Sequence, residues 1–136
     1  MRLFLDTNVL LDVLLEREGF VADSARVFHH CVDGAHEGVF CALSACNIVY
    51  ILRNRFPSRQ IRDKVLKMAE LLHMTDTAAE AVRASLSCDG IDFEDEVQLR
   101  SAKAAGADVI VTRDKDGFTN ADIPVMTPTE FLDSLA

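Results

Sequence analysis

Two short apolar runs dictate what this chain can fold into: RLFL at residues 2–5 and VIVT at 109–112. Each is too short for a core helix and apolar on both faces, which is the signature of a strand buried on both sides. Each also ends in acid, RLFL directly at Asp6 and VIVT at Asp114 across Arg113, with Asp116 two residues further. A third run, GVFCAL at 38–43, has the same character. Segments with helical spacing of apolar residues separate these runs. Buried strands alternating with helices imply a parallel sheet covered on both faces, an α/β fold of three layers with four or five strands.

The intervening helices are read from periodicity and end signals. Val9, Leu10, Val13 and Leu14 mark the first, and Val21 to Cys31 the second. Ser44 starts a third carrying Ile48, Ile51 and Leu52, and Ser58 caps a fourth with Ile61, Val65, Met68 and Leu72 on one side. HMT at 73–75 fits a brief strand. Thr77 and Glu80 form a capping box for a helix to about Ser87, which Gly90 closes off. Phe93 to Ala105 reads as a helix ended by Gly106, a residue suited to the left-handed position after a helix. PVMTPTEF then supplies a weak strand and a short helix, with Thr127 as cap, Pro128 first inside and Glu130 completing a capping box.

With 136 residues and no repeat, low-complexity run or linker, residues 1–136 are expected to form a single domain. The N-terminal MRLFLDTNVLLDVLLE is interrupted by Asp6, Asn8 and Asp12 and lacks a cleavage site, so it reads as fold rather than signal peptide. No stretch approaches the roughly 18 apolar residues of a membrane helix. A soluble, cytoplasmic protein with no membrane partner is expected. Cys31, Cys41, Cys46 and Cys88 make no C-x-x-C pair and lie among apolar residues, so they read as core thiols rather than disulfides or zinc ligands. His29, His30, His36 and His73 show no ligand spacing.

The net charge of −8 argues against a nonspecific nucleic-acid coat. The charge is nonetheless segregated: six of the fourteen basic residues, Arg53, Arg55, Arg59, Arg62, Lys64 and Lys67, fall within fifteen positions beside the single acid Asp63. Individually they read as a solvated helix face; together Arg53, Arg55 and Arg59 could track phosphates.

The strongest concentration of like charge is DGIDFEDEVQ at 89–98, with Asp89, Asp92, Glu94, Asp95 and Glu96 in eight positions. Asp92 suits an N-cap, and acids in a first turn are stabilised by the helix dipole and its free N–H groups. At 100° per residue Phe93, Val97 and Ala104 share one stripe, while Leu99 and Ala102 share another with Asp95 beside them. Glu96 projects outward, four residues before Arg100 in the favourable ion-pair order. Asp95 is therefore the carboxylate turned inward, and a buried carboxylate needs a hydrogen-bonding partner or a cation. In parallel α/β sheets ligands bind beyond the carboxyl ends of the strands, where Asp6 and Asp114 would meet if their strands are adjacent. A hard divalent cation, which takes oxygen ligands, is the economical partner for three such acids.

LFLDTNVLLD, DFEDEVQLRSA and VIVTRDKDGF followed by PVMTPTEFL, in this order, resemble the PIN-domain family of metal-dependent nucleases over almost the full length. The small bacterial and archaeal members, including VapC-like toxins of toxin-antitoxin pairs, are the most similar in layout. The resemblance implies strand order 3-2-1-4-5 and a metal site of Asp6, Asp95 and Asp114, with Asp116 as a frequent extra acid and Asn8 and Thr112 in support. It further implies RNA phosphodiester hydrolysis with Mg²⁺ or Mn²⁺, a homodimer, and a small antitoxin whose basic tail enters the acidic site.

One position departs from that pattern. The family usually carries a glutamate in the helix after its second strand, where LSACNIVYIL here has Asn47. An amide oxygen can hold a metal or its water but brings no charge, leaving Glu94 or Asp92 to supply it. The same feature supports an alternative, a non-catalytic PIN-like module that binds RNA or a protein partner. A housekeeping RNA-processing nuclease is a further possibility within the family. A phosphatase of the haloacid-dehalogenase type would need a second acid two residues after Asp6, where Asn8 stands.

Overall fold

The structure, a computed structural model, describes residues 1–136 except Ile91 and Asn120. Among the described residues, β1 (Arg2–Leu5), β2 (Glu37–Cys41), β3 (His73–Thr75), β4 (Val109–Val111) and β5 (Val125–Met126) form one parallel sheet in the order β3-β2-β1-β4-β5. Helices α1 (Thr7–Leu15), α2 (Val21–Val32), α3 (Ala42–Leu52), α4 (Ser58–Leu71), α5 (Ala79–Leu86), α6 (Phe93–Ala104) and α7 (Pro128–Ser134) flank it. The expected three-layer α/β/α architecture and strand order are both present. No helix of the described residues is long and apolar enough to cross a membrane.

The two-residue period of a strand divides the core. Leu3 and Leu5 of β1 face one side with Phe40, Val109 and Val111, packed against Val9, Val27, Ile48, Val65 and Phe131 of the helices there. Phe4 faces the other side with Val39, Cys41 and Ile110, against Ala102 of α6 and Phe118. Because β1 lies between β2 and β4, its three apolar residues have no exposed surface. The order also creates a switch point: the chain leaves β1 toward β2 and β3, then crosses back to β4 on the other flank. A crevice therefore opens beyond the carboxyl ends of β1 and β4.

Several helix starts differ from expectation, two of them because a side chain was recruited elsewhere. Helix α3 begins at Ala42 rather than Ser44, and the Ser44 hydroxyl lies buried 2.8 Å from Thr7 Oγ1. Thr77 forms no capping box with Glu80; its hydroxyl accepts the Leu43 N–H at 3.1 Å, satisfying a free donor of α3 instead. Ser58 is the first helical residue of α4, behind Pro57, and makes no cap bond. The Thr127–Glu130 capping box forms with Pro128 at the first position, and Gly106 has φ +70° after α6.

Two burial expectations are also corrected. Cys31 and Cys41 are core residues, whereas Cys46, on the outward side of α3, and Cys88, past the end of α5, are exposed. Phe93 is 48% exposed and Ala104 faces solvent, so the inner face of α6 is Val97, Gln98, Ser101 and Ala102.

Candidate active site

Asp6 is the residue at which β1 becomes α1. Its backbone N–H donates to Val111 O of β4 at 3.0 Å, fixing the two strand ends side by side. Its carboxylate caps α1, accepting the Thr7 N–H at Oδ1 (2.7 Å), while the Thr112 hydroxyl donates to Oδ2 at 2.7 Å. Asp6 is 4% exposed. Burial pushes its pKa up; the Thr112 and Thr7 hydrogen bonds and the Gln98 amide oppose that rise, and Asp114 adds to it.

Asp114 enters the same neighbourhood from β4. Thr112 Oγ1 accepts the Asp114 N–H at 3.1 Å, so one hydroxyl links Asp6 to the loop that carries Asp114. Asn8 braces that loop from α1: its Oδ1 accepts the Arg113 N–H at 3.3 Å and its Nδ2 donates to Thr112 Oγ1 at 3.4 Å. Asp114 then caps a single 3₁₀ turn, Lys115–Phe118, by accepting the Asp116 N–H at 3.2 Å. Asp116 itself is exposed, and its charge is not among those acting on Asp6 or Asp95.

Helix α6 contributes the remaining acids. Asp92 caps it by accepting the Asp95 N–H at 3.1 Å, and Glu96 pairs with Arg100 at 3.6 Å, as the residue spacing predicts. Asp95 is half-buried and is pushed up to about 7, first by burial and then by Asp6, Asp92, Glu94 and Asp114. Glu94 is raised as well: burial is the main cause, the Asn47 amide opposes it, and Asp6 and Asp92 reinforce it. Among the described residues, no basic side chain pairs with Asp6, Glu94, Asp95 or Asp114.

The acids share one electrostatic neighbourhood but not a closed cage. Among the described residues, no trio of His, Cys, Asp or Glu side chains stands in a metal-holding arrangement, so the expected set of Asp6, Asp95, Asp114 and Asp116 is not preassembled. Mutual repulsion is one reason. The other is that Asp6 and Asp114 direct oxygens to Thr7, Thr112 and Asp116. A divalent cation nevertheless fits the donor set, which is all oxygen and carries uncompensated negative charge. The 3₁₀ turn also packs closely against Asp95: a Cβ at Gly117 would sit 1.7 Å from Asp95 Oδ2 and 2.7 Å from its Cγ, so any side chain there would displace that carboxylate.

The basic residues Arg53, Arg55 and Arg59 lie apart from the acids. Helix α3 starts at the carboxyl end of β2 and runs back along the sheet, leaving Arg53 about 16 Å of helix from that edge. Arg53 stacks on Tyr50 at 3.7 Å and Arg59 pairs with Asp63 at 3.5 Å.

Three contributors escaped the sequence reading. Gln98 is 1% exposed and its amide reaches both Asp6 and Glu94; a polar residue beside Val97 on an inward helix face was its signal. Asp12 is fully buried against Arg113, and its place among Leu10, Leu11 and Val13 was the corresponding hint. Gly117 had no signal in the sequence, because its role is a tertiary approach.

A family profile described as PIN domain matches residues 2–116. No curated protein matches the chain. Among solved structures, VapBC-1 from nontypeable Haemophilus influenzae is 14% identical over 95% of this chain and 99% of its own, with a TM-score of 0.69. FitAcB from Neisseria gonorrhoeae is 18% identical over 93% and 98%, with a TM-score of 0.67. VapBC2 from Rickettsia felis, bound to a DNA fragment from its promoter, is 15% identical over 93% and 97%, also at 0.67.

Proposed function

The chain belongs to the PIN-domain family, and from that premise we propose that it is a metal-dependent endoribonuclease that hydrolyses RNA phosphodiester bonds. The observation that carries this reading is the convergence of buried Asp6, half-buried Asp95 and exposed Asp114, with no basic side chain among the described residues paired to them. Burial and neighbouring acids raise the pKa of Asp6 and of Asp95, and carboxylates perturbed in this way cluster at functional sites.

Asp6, Asp95 and Asp114 would hold Mg²⁺ or Mn²⁺, with Asp116 at the rim. When bound, the ion supplies Lewis acidity, activating water and stabilising the leaving oxygen. Thr112 keeps one Asp6 oxygen in place, and Asn8 keeps the loop bearing Asp114 against α1. Gln98 restrains Asp6 and Glu94 from below. Eight phenylalanines, one tyrosine and no tryptophan offer few stacking platforms, so substrate selection would rest on backbone shape.

The likeness to VapBC and FitAcB structures favours the toxin of a type II toxin-antitoxin pair. Its partner would be a small antitoxin with a basic tail complementary to the acidic crevice, and the nuclease itself a homodimer. A second reading, a non-catalytic RNA- or protein-binding module, is favoured by the uncharged Asn47.

Cleavage of structured RNA with Mn²⁺ or Mg²⁺ by wild type, Asp95→Asn and Asn47→Glu separates these readings. Metal-dependent cutting that Asp95→Asn abolishes is the expected result. Cutting that persists in Asp95→Asn or in EDTA overturns the nuclease reading, and cutting by Asn47→Glu alone establishes the binding module.

A further inference from the structure

Of the acids in the first turn of α6, two are occupied. Asp92 is exposed and caps the helix, and Glu96, partly buried, pairs with Arg100. Asp95 belongs to the site already described. Glu94 remains: half-buried, close enough to Asp6 to feel its charge, and without a basic partner among the described residues.

The groups around Glu94 are amides. Gln98 Nε2 donates toward Glu94 Oε1 at 3.4 Å, and the Asn47 amide approaches from α3. Gln98 Oε1 is buried without a hydrogen-bond partner, and Asn47 Nδ2, the atom that faces the Glu94 carboxylate, is not aligned to donate to it. Gln98 is 1% exposed, so its free carbonyl oxygen cannot turn to bulk water. A buried acceptor beside several carboxylates calls for a cation or an ordered water held by one.

We propose that Glu94 is a further acidic ligand of the divalent cation, positioned by Asn47 and Gln98, so that negative charge absent from position 47 reaches the site from α6. The inference rests on the metal-site reading above. Because the Asn47 amide lies close enough to Glu94 to act on its carboxylate, an acid at either position brings its charge to the same neighbourhood. Glu94 and Asp95 are then consecutive ligands from one helical turn, and Asp6 and Asp114 complete the set from the strand ends. Gln98 is a positioning residue, linking Glu94 to Asp6 through its amide. Asp92 does not share this role, since its carboxylate is committed to the cap.

The test is Mn²⁺ titration by calorimetry on the full chain, with circular dichroism to confirm folding. The variants are wild type, Asp95→Asn, Glu94→Gln and the double variant Glu94→Gln with Asn47→Glu. Glu94→Gln should weaken Mn²⁺ binding on the order of tenfold or more, and the double variant should recover most of that loss. Wild-type affinity in Glu94→Gln, with Asp95→Asn weakened, overturns the inference and leaves the metal site standing. A loss that Asn47→Glu fails to restore makes Glu94 a support of α6 and also overturns it. If wild type binds no Mn²⁺, the metal-site reading falls with it.

Discussion

Arg113 Nε stands 2.8 Å from Oδ2 of Asp12, a carboxylate with no exposed surface. Ser24 donates to the same oxygen at 3.0 Å, Arg17 lies 3.7 Å from the other, and the Phe20 ring covers the Arg113 guanidinium at 4.1 Å. Arg113 separates Thr112 from Asp114, so this ion pair moors the loop of the candidate site to α1. Removing one partner of a buried pair leaves an uncompensated charge, at a cost of about 3–5 kcal/mol. Asp12→Ala is expected to lose that much stability in urea denaturation at neutral pH. A loss below about 1 kcal/mol would mean that water screens the pair and the loop is moored elsewhere.

Gly117→Ala tests the close approach of the 3₁₀ turn to α6. The added Cβ would fall 1.7 Å from Asp95 Oδ2 and 2.7 Å from its Cγ, so the whole carboxylate must move. Overpacking of this kind costs about 1–3 kcal/mol, which leaves a folded protein to assay. A catalytic group misplaced by about 1 Å loses on the order of a hundredfold in rate. Single-turnover RNA cleavage should therefore collapse while the far-ultraviolet spectrum is retained. Cleavage at the wild-type rate would show that Asp95 has no fixed position to lose.

Asp95 also sets a pH dependence. Its folded pKa is about 7 against 3.8 as the ordinary value, raised by burial and then by Asp6, Asp92, Glu94 and Asp114. Between those values the folded state carries more protons than the unfolded chain. Stability therefore falls as pH rises through this window and levels off above it. Asp6 and Glu94, also raised, act in the same sense. In EDTA the melting temperature should be lower at pH 8 than at pH 5, with a smaller drop in Asp95→Asn. Mn²⁺ binds the deprotonated acids, so the rise it produces should be larger at pH 8. Equal pH dependence in wild type and Asp95→Asn would remove Asp95 as the cause.

The parts of this arrangement visible in the sequence are those encoded locally. RLFL and VIVT announce buried strands by composition alone, and Asp92, Thr127 and Gly106 announce helix ends by side-chain chemistry and backbone freedom. Asp95 could be placed inward by counting around a helix. What escaped depends on contacts between distant segments. Ser44 and Thr77 have the chemistry of caps, yet Ser44 meets Thr7 across 37 residues and Thr77 reaches Leu43 across 34. The burial of Gln98 follows from which side of the sheet receives α6. Phe93 looks like core because it is apolar, yet the buried face of α6 is Val97, Gln98, Ser101 and Ala102 and leaves it outside.

Asp114 and Asp116 separate the two acids of the turn after β4. Both are exposed, but Asp114 is tied to Thr112 through its N–H and raises both Asp6 and Asp95, whereas Asp116 raises neither. The close like charges that penalise the metal-free protein are the ones that reward a bound cation, because proximity in a partly desolvated site strengthens both interactions. Asp114→Asn should therefore weaken Mn²⁺ binding on the order of tenfold or more and lower the pKa of Asp95, a shift readable by carbonyl NMR. Asp116→Asn should alter both by less than about twofold, since its charge does not bear on Asp6 or Asp95 and what reaches them is screened by solvent and salt. If Asp116→Asn costs as much Mn²⁺ affinity as Asp114→Asn, the turn must rearrange around the ion and the ligand set must include both.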